Sequence, residues 1–161
     1  MRLTHTERNH LRTLLARYLS DEQVQQMRQY TQHGAVSTYD HCANVARVSY
    51  WANRRLKLGA DEQALVTGAL LHDFYLYDWH RKGDGSHRLH GFRHAARACE
   101  NARKQFRIGL REQEIIRTHM WPLTLRAVPT SREACIVCAA DKYCSLMETL
   151  FRRTGGAPIC A

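Results

Sequence analysis

The stretch Ala64-Leu65-Val66-Thr67-Gly68-Ala69-Leu70-Leu71 runs directly into His72-Asp73. A helix this apolar belongs inside a protein. Its end carries an imidazole and a carboxylate into the same interior. An unpaired buried carboxylate costs several kcal/mol in lost hydration. Any fold that buries this helix must therefore bring a cation to Asp73, either an Arg or Lys side chain or a metal ion. Leu65, Gly68 and Ala69 stand one to two turns before His72, and the small residues among them let a second helix approach closely.

The rest of the chain is also helical in pattern. Leu11, Leu14, Leu15, Tyr18 and Leu19 recur near 3.6 residues within 6–19. Ser20-Asp21-Glu22-Gln23 predicts a capping box opening a second helix to about Thr31, interrupted at Gly34. Ser37 or Thr38 caps a third helix that Gly59 stops, and Asp61 to about Asp73 is the fourth. His80 to Gly91, with three glycines, is the longest expected loop. Helices are expected again over Phe92–Phe106 and Arg111 to about Met120. Pro122 and Pro129 bracket a link, and Thr130-Ser131-Arg132-Glu133 opens a last helix to about Phe151. No run alternates convincingly enough for a strand. The predicted class is all-α, a compact bundle of about six to seven helices.

The chain has 161 residues, and one domain is expected at that length. No apolar run approaches the ~18–20 residues that span a bilayer, and the polar, charged Met1–Asn9 is not a secretory signal. A soluble cytoplasmic protein is expected. The net charge of +9 comes mostly from 20 arginines against 4 lysines, which favours an anionic partner. The arginines are scattered and not interleaved with aromatics, so nucleic acid is not the favoured one. Cys135 and Cys138 form a CxxC, but they sit inside an apolar stretch without a second pair and read as buried small hydrophobes.

Histidine supplies the chemistry. Of ten, His5, His10 and His33 lie in polar surroundings, and His80 and His87 fall in the expected loop. His41 shares a helix face with Val45 and Val48, His119 with Ile115 and Ile116, and Asp141 with Val137, Cys138, Cys144 and Ser145. Any one of these alone is compatible with a hydrogen-bonded core residue. Together with His72-Asp73 they are more simply explained by a shared metal site. Imidazole and carboxylate suit a divalent ion: Mn, Fe, Co, Ni, Zn or Mg.

His41 in Tyr39-Asp40-His41-Cys42-Ala43-Asn44, His72-Asp73 after Leu70-Leu71, and Asp141 in Ala139-Ala140-Asp141-Lys142 resemble the ordered H…HD…D signature of the HD-domain superfamily. The resemblance covers about 35–150, with N-terminal helices over 6–33 packed on that core and a frayed tail at 154–161. It implies an all-α fold, and a metal-dependent phosphohydrolase acting on a nucleotide or other small phosphate ester. His41, His72, Asp73 and Asp141 would ligate one divalent ion. His94 and His119 resemble the ligands of a second, with Asp73 bridging. Two departures are visible: Ala95 stands where proline often follows the first of these histidines, and Met120 where a His-His pair occurs in dinuclear members.

On this reading a metal-activated water attacks phosphorus, with Asp78 a candidate base or water-orienting group and His90 a candidate acid. Lys82, Arg93 and Arg97 are candidate phosphate-binding residues, and a homo-oligomer is compatible with the chain. The rival expectations are a non-catalytic metal- or nucleotide-binding HD domain, a di-iron oxygenase on the same scaffold, and nucleic-acid binding by charge alone.

Overall fold

A computed structural model describes residues 2–33, 36–78 and 90–151. The interruption expected at Gly34, the loop over 80–89, the tail 154–161 and Cys160 lie outside these residues. Among the described residues there are seven α-helices: α1 (His5–Leu19), α2 (Glu22–Gln26), α3 (Thr38–Leu56), α4 (Glu62–Leu71), α5 (His90–Phe106), α6 (Leu110–Thr118) and α7 (Arg132–Phe151). The expected all-α bundle is therefore what forms.

Local chemistry accounts for the helix ends. Thr4 and Glu7 form a reciprocal capping box on α1, Asp21 caps α2, Ser37 caps α3 and Asp61 caps α4. The box expected at Ser20 is not made, because the Ser20 hydroxyl turns back to the carbonyls of Ala16 and Arg17 and leaves the cap to Asp21. α3 stops at Lys57, which adopts φ 52°, two residues before Gly59. α5 begins at His90 rather than Phe92.

The second helix does not continue to Thr31. After a 3-10 turn over Met27–Gln29, Thr31–His33 (β1) pairs antiparallel with Val36–Ser37 (β2). The expectation of no strand fails here. The hairpin is too short for an alternating pattern to show, and it is held at its base by the Thr38 N–H donating to the Tyr30 carbonyl at 2.8 Å.

Every residue of Ala64–Leu71 is buried, as its composition demands. α4 is the central helix, packed by α1, α3, α6 and α7. An alanine Cβ built on Gly68 would stand 2.6 Å from Ile115 Cδ1, so the missing side chain is what lets α6 lie so close.

Three helices begin at one clamp. Glu133, near the start of α7, accepts the Asp61 N–H at the start of α4 at 2.6 Å, and Arg111 of α6 stands 3.8 Å from both carboxylates. Glu114 accepts from the backbone of Thr130 and Ser131 just before α7, at 2.8 and 2.9 Å. The Thr130–Glu133 box is thus not closed on itself. Ser131 caps Ala134 and Glu133 is used across the helices. α4, α6 and α7 run the same way from this clamp. α3 and α5 run against them, so their first turns arrive where α4 and α6 end.

Candidate metal centre

α4 ends on His72, and α6 ends on His119. Each ring uses Nδ1 to donate to the carbonyl three residues back, His72 to Ala69 at 2.8 Å and His119 to Ile116 at 2.7 Å. That fixes the tautomer and turns both Nε2 lone pairs outward from the helix ends. Helix C-termini carry partial negative charge, so two of them aimed at one point favour a cation there. The first turn of α3 brings His41 and the second turn of α5 brings His94, while α7 passes with Asp141 midway along it.

These six side chains converge, and all are buried. His41 Nε2 lies 3.1 Å from Asp141 Oδ1, and His72 Nε2 lies 3.6 Å from the same oxygen and 3.4 Å from Asp73 Oδ2. Asp73 Oδ1 is 3.2 Å from His94 Nε2 and 3.5 Å from His119 Nε2. The last two nitrogens are only 2.9 Å apart. Two sets of three, His41-His72-Asp141 and His72-Asp73-His119, each offer donor atoms within 4.8 Å of one another.

The donor set fits a divalent ion. Two atoms bound at ~2.1 Å and about a right angle stand roughly 3 Å apart, close to the His94–His119 separation. His72 Nε2 and Asp73 Oδ1 are buried without a hydrogen-bond partner, a costly condition that coordination relieves. Among the described residues, no Lys or Arg takes the cation's place between His72 and Asp141. Lys142 stands 3.6 Å from Asp141 on the other oxygen, Oδ2.

Electrostatics point the same way. Burial opposes charging His41, but the hydrogen bonds it donates to Asp141 and Glu148 outweigh it and hold its pKa up to about 10. Burial would raise Asp73 and Asp141, yet the imidazoles hold both well below the usual carboxylate range, His72 foremost for Asp73 and His41 for Asp141. Burial, reinforced by the charge of His72, pushes His119 down to about 3. The carboxylates draw positive charge into a largely buried site.

A second ring of residues orients the first. His41 Nδ1 donates to Glu148 at 2.8 Å, and Asn44 holds the other Glu148 oxygen at 3.3 Å. Gln32 on β1 donates to Asp73 Oδ2 at 2.6 Å, and its own carbonyl accepts from Tyr75 at 2.7 Å and Thr38 at 3.2 Å. That polar chain fixes which way the Gln32 amide faces. Sequence reasoning missed Gln32 and Glu148.

A cavity of about 600 Å³ opens onto Asp73, His94, His119 and Asp141, and is also lined by Gln32 and Lys142. His41 and His72 lie deeper, at 0% exposure. Asp78 is half-buried and is not among the described residues lining this cavity. Arg93 and Arg97 are exposed on α5 and do not line it either. Lys82 and the side chain of His90 lie outside the described residues.

The HD domain family matches residues 38–146, from the first turn of α3 to the second half of α7. The chain belongs to the HD domain family. Neither a curated protein nor a solved structure matches it. The adjacent His72 and Asp73 lie within the matched span. The match takes in every one of the six converging side chains but not Gln32, which precedes it.

Proposed function

We propose that this HD domain is a metal-dependent phosphohydrolase acting on a small, nucleotide-like phosphate ester. His41, His72, Asp73 and Asp141 would hold one divalent ion, and His94 and His119 a second, with Asp73 shared. The observation that carries the reading is the convergence of buried imidazoles on Asp73 where the ends of α4 and α6 meet, with His72 Nε2 and Asp73 Oδ1 making close ionic contacts but no well-aligned hydrogen bond. When bound, the ion supplies a water of lowered pKa and a Lewis acid for the phosphoryl oxygen.

The chain's own residues account for the remainder. Ala69 and Ile116 keep the two helix-terminal imidazoles in the ligating tautomer, and Glu148 does so for His41. Gln32 ties down Asp73 Oδ2 and leaves Oδ1 for His94 and His119 to share. Met120, Pro122 and Leu123 give the cavity an apolar wall opposite its polar floor. Among the described residues no helix is long and apolar enough to cross a membrane. A cytoplasmic setting is part of the proposal and is supported by buried free thiols at Cys42, Cys99, Cys138 and Cys144.

The test is elemental analysis of protein purified without chelator, then a phosphoester panel with Mn, Co, Ni and Mg. His72→Ala and Asp73→Ala should each lose bound metal and phosphatase activity while far-UV helicity stays largely intact. Phosphatase activity in a metal-free variant would refute the reading, and metal-loaded protein inactive across the panel would favour a binding role.

A further inference from the structure

Lys142 follows Asp141 on α7, and its side chain is 42% exposed. Its stem brings Nζ within 2.6 Å of the His119 carbonyl, which it donates to, and 3.6 Å from Asp141 Oδ2. The ammonium also lies beside the Cys138 sulfur, and its side chain lines the cavity, where an incoming anionic oxygen would outcompete that weak acceptor for one of its three donors. Among the described residues, no other Lys or Arg lines it. The contacts hold the charge in place: the carbonyl is an end of α6, and the carboxylate belongs to a proposed metal ligand. A fixed cation beside the ligand set and open to the cavity is what a phosphoryl oxygen pointing away from the ion would require.

We propose that Lys142 anchors the phosphoryl group of the substrate, a role the exposed Arg93 and Arg97 do not fill. This rests on the phosphohydrolase reading above. It makes Lys142 a binding residue that is not a metal ligand, so metal content and anion affinity separate in its variants. Lys142→Gln keeps a donor near the His119 carbonyl and removes the charge, and Lys142→Arg keeps both.

The experiment is calorimetric titration of inorganic phosphate into Mn²⁺-loaded protein, with metal content and thermal midpoint measured on each variant. Wild type should bind phosphate only with the ion present. Lys142→Gln should keep its Mn²⁺ and thermal midpoint and bind phosphate about 10- to 100-fold more weakly, the range for losing one charged hydrogen bond. Lys142→Arg should stay near wild type. If metal-loaded Lys142→Gln binds phosphate as wild type does, the assignment to Lys142 is wrong while the phosphohydrolase reading stands. If loaded wild type binds no phosphate, both fall. Should Lys142→Gln shed its metal, Lys142→Met repeats the comparison. Loss of Mn²⁺ from both variants makes Lys142 a support for Asp141 and overturns the proposal.

Discussion

Replacing Gly68 with alanine sets two effects against each other. Alanine is the better helix former, by about 1 kcal/mol. But its Cβ would meet Ile115 at 2.6 Å from Cδ1, 2.8 Å from Cγ2 and 2.9 Å from Cβ. Rotating the Ile115 side chain cannot move its own Cβ, so α4 and α6 must separate. Reaching ordinary contact near 3.5 Å takes a shift of somewhat under ~1 Å. Overpacking of this kind costs about 1–3 kcal/mol, so the net is a loss of up to about 2 kcal/mol, or up to ~8 °C in Tm for a domain of this size. The larger effect falls on the site. His72 and His119 each lie four residues beyond the clash, with rings 4.8 Å apart. Metal–ligand distances tolerate about ±0.2 Å, so Mn²⁺ affinity should drop at least ~10-fold, as for loss of an orienting contact. Differential scanning calorimetry and a Mn²⁺ titration read the two effects. Ile115→Val removes the nearest atom, and in the double variant it should couple favourably to Gly68→Ala. A Gly68→Ala protein as stable as wild type that binds Mn²⁺ equally well would refute the reasoning.

Other perturbations follow from the same geometry. Glu148→Gln weakens the acceptor on His41 Nδ1 and should lower metal affinity about 10- to 100-fold by titration, with little change in helicity. Chelation should lower Tm by roughly 5–10 °C relative to protein held at about 100 times the metal's Kd, since that occupancy contributes about 2.7 kcal/mol, and Asp73→Ala should abolish the difference. Gln32→Ala frees Asp73 Oδ2 and takes one acceptor from the Tyr75 and Thr38 hydroxyls, which keep their bond to each other, so Tm should fall by a few degrees and the chelator-dependent shift should shrink. Arg55, with help from the Thr4 backbone, holds Glu7 down from the usual 4.5 to about 2. A depressed carboxylate stabilises the fold above its unfolded pKa and loses that contribution as acid protonates it. The gap between wild type and Glu7→Gln should hold above pH 5 and close between about pH 4.5 and 2 in urea melts.

His41, His119 and Asp141 were legible as polar residues on apolar helical faces and His72-Asp73 as the end of a buried run, whereas His94 was legible only through the resemblance to a known signature. Gly68 was legible too, as a small residue one turn before His72. Glu148 left a signal that went unused: it lies seven residues after Asp141, two turns along the same face of α7. Gln32 left none, since it acts from a three-residue strand without periodicity and through a contact 41 residues away. The anion-binding candidates show the limit of proximity in sequence. Arg93 adjoins His94 yet points to solvent, whereas Lys142 adjoins Asp141 and reaches the cavity. About 100° separates neighbours on a helix, and which side is inward depends on the packing of other helices. Ser20 and Asp21 compete for one cap, and only three-dimensional hydrogen bonding decides between them.

The clamp at Glu133 has a reach beyond its own hydrogen bonds. It sits eight residues upstream of Asp141, roughly 12 Å along the axis, and it sets where α7 starts against α4. Axial slippage at that end travels undiminished down two rigid rods and arrives as a change in the spacing of their ligands. The calibre of the pocket, and so the size of ion it prefers, is thereby written into a backbone contact that no ion ever touches.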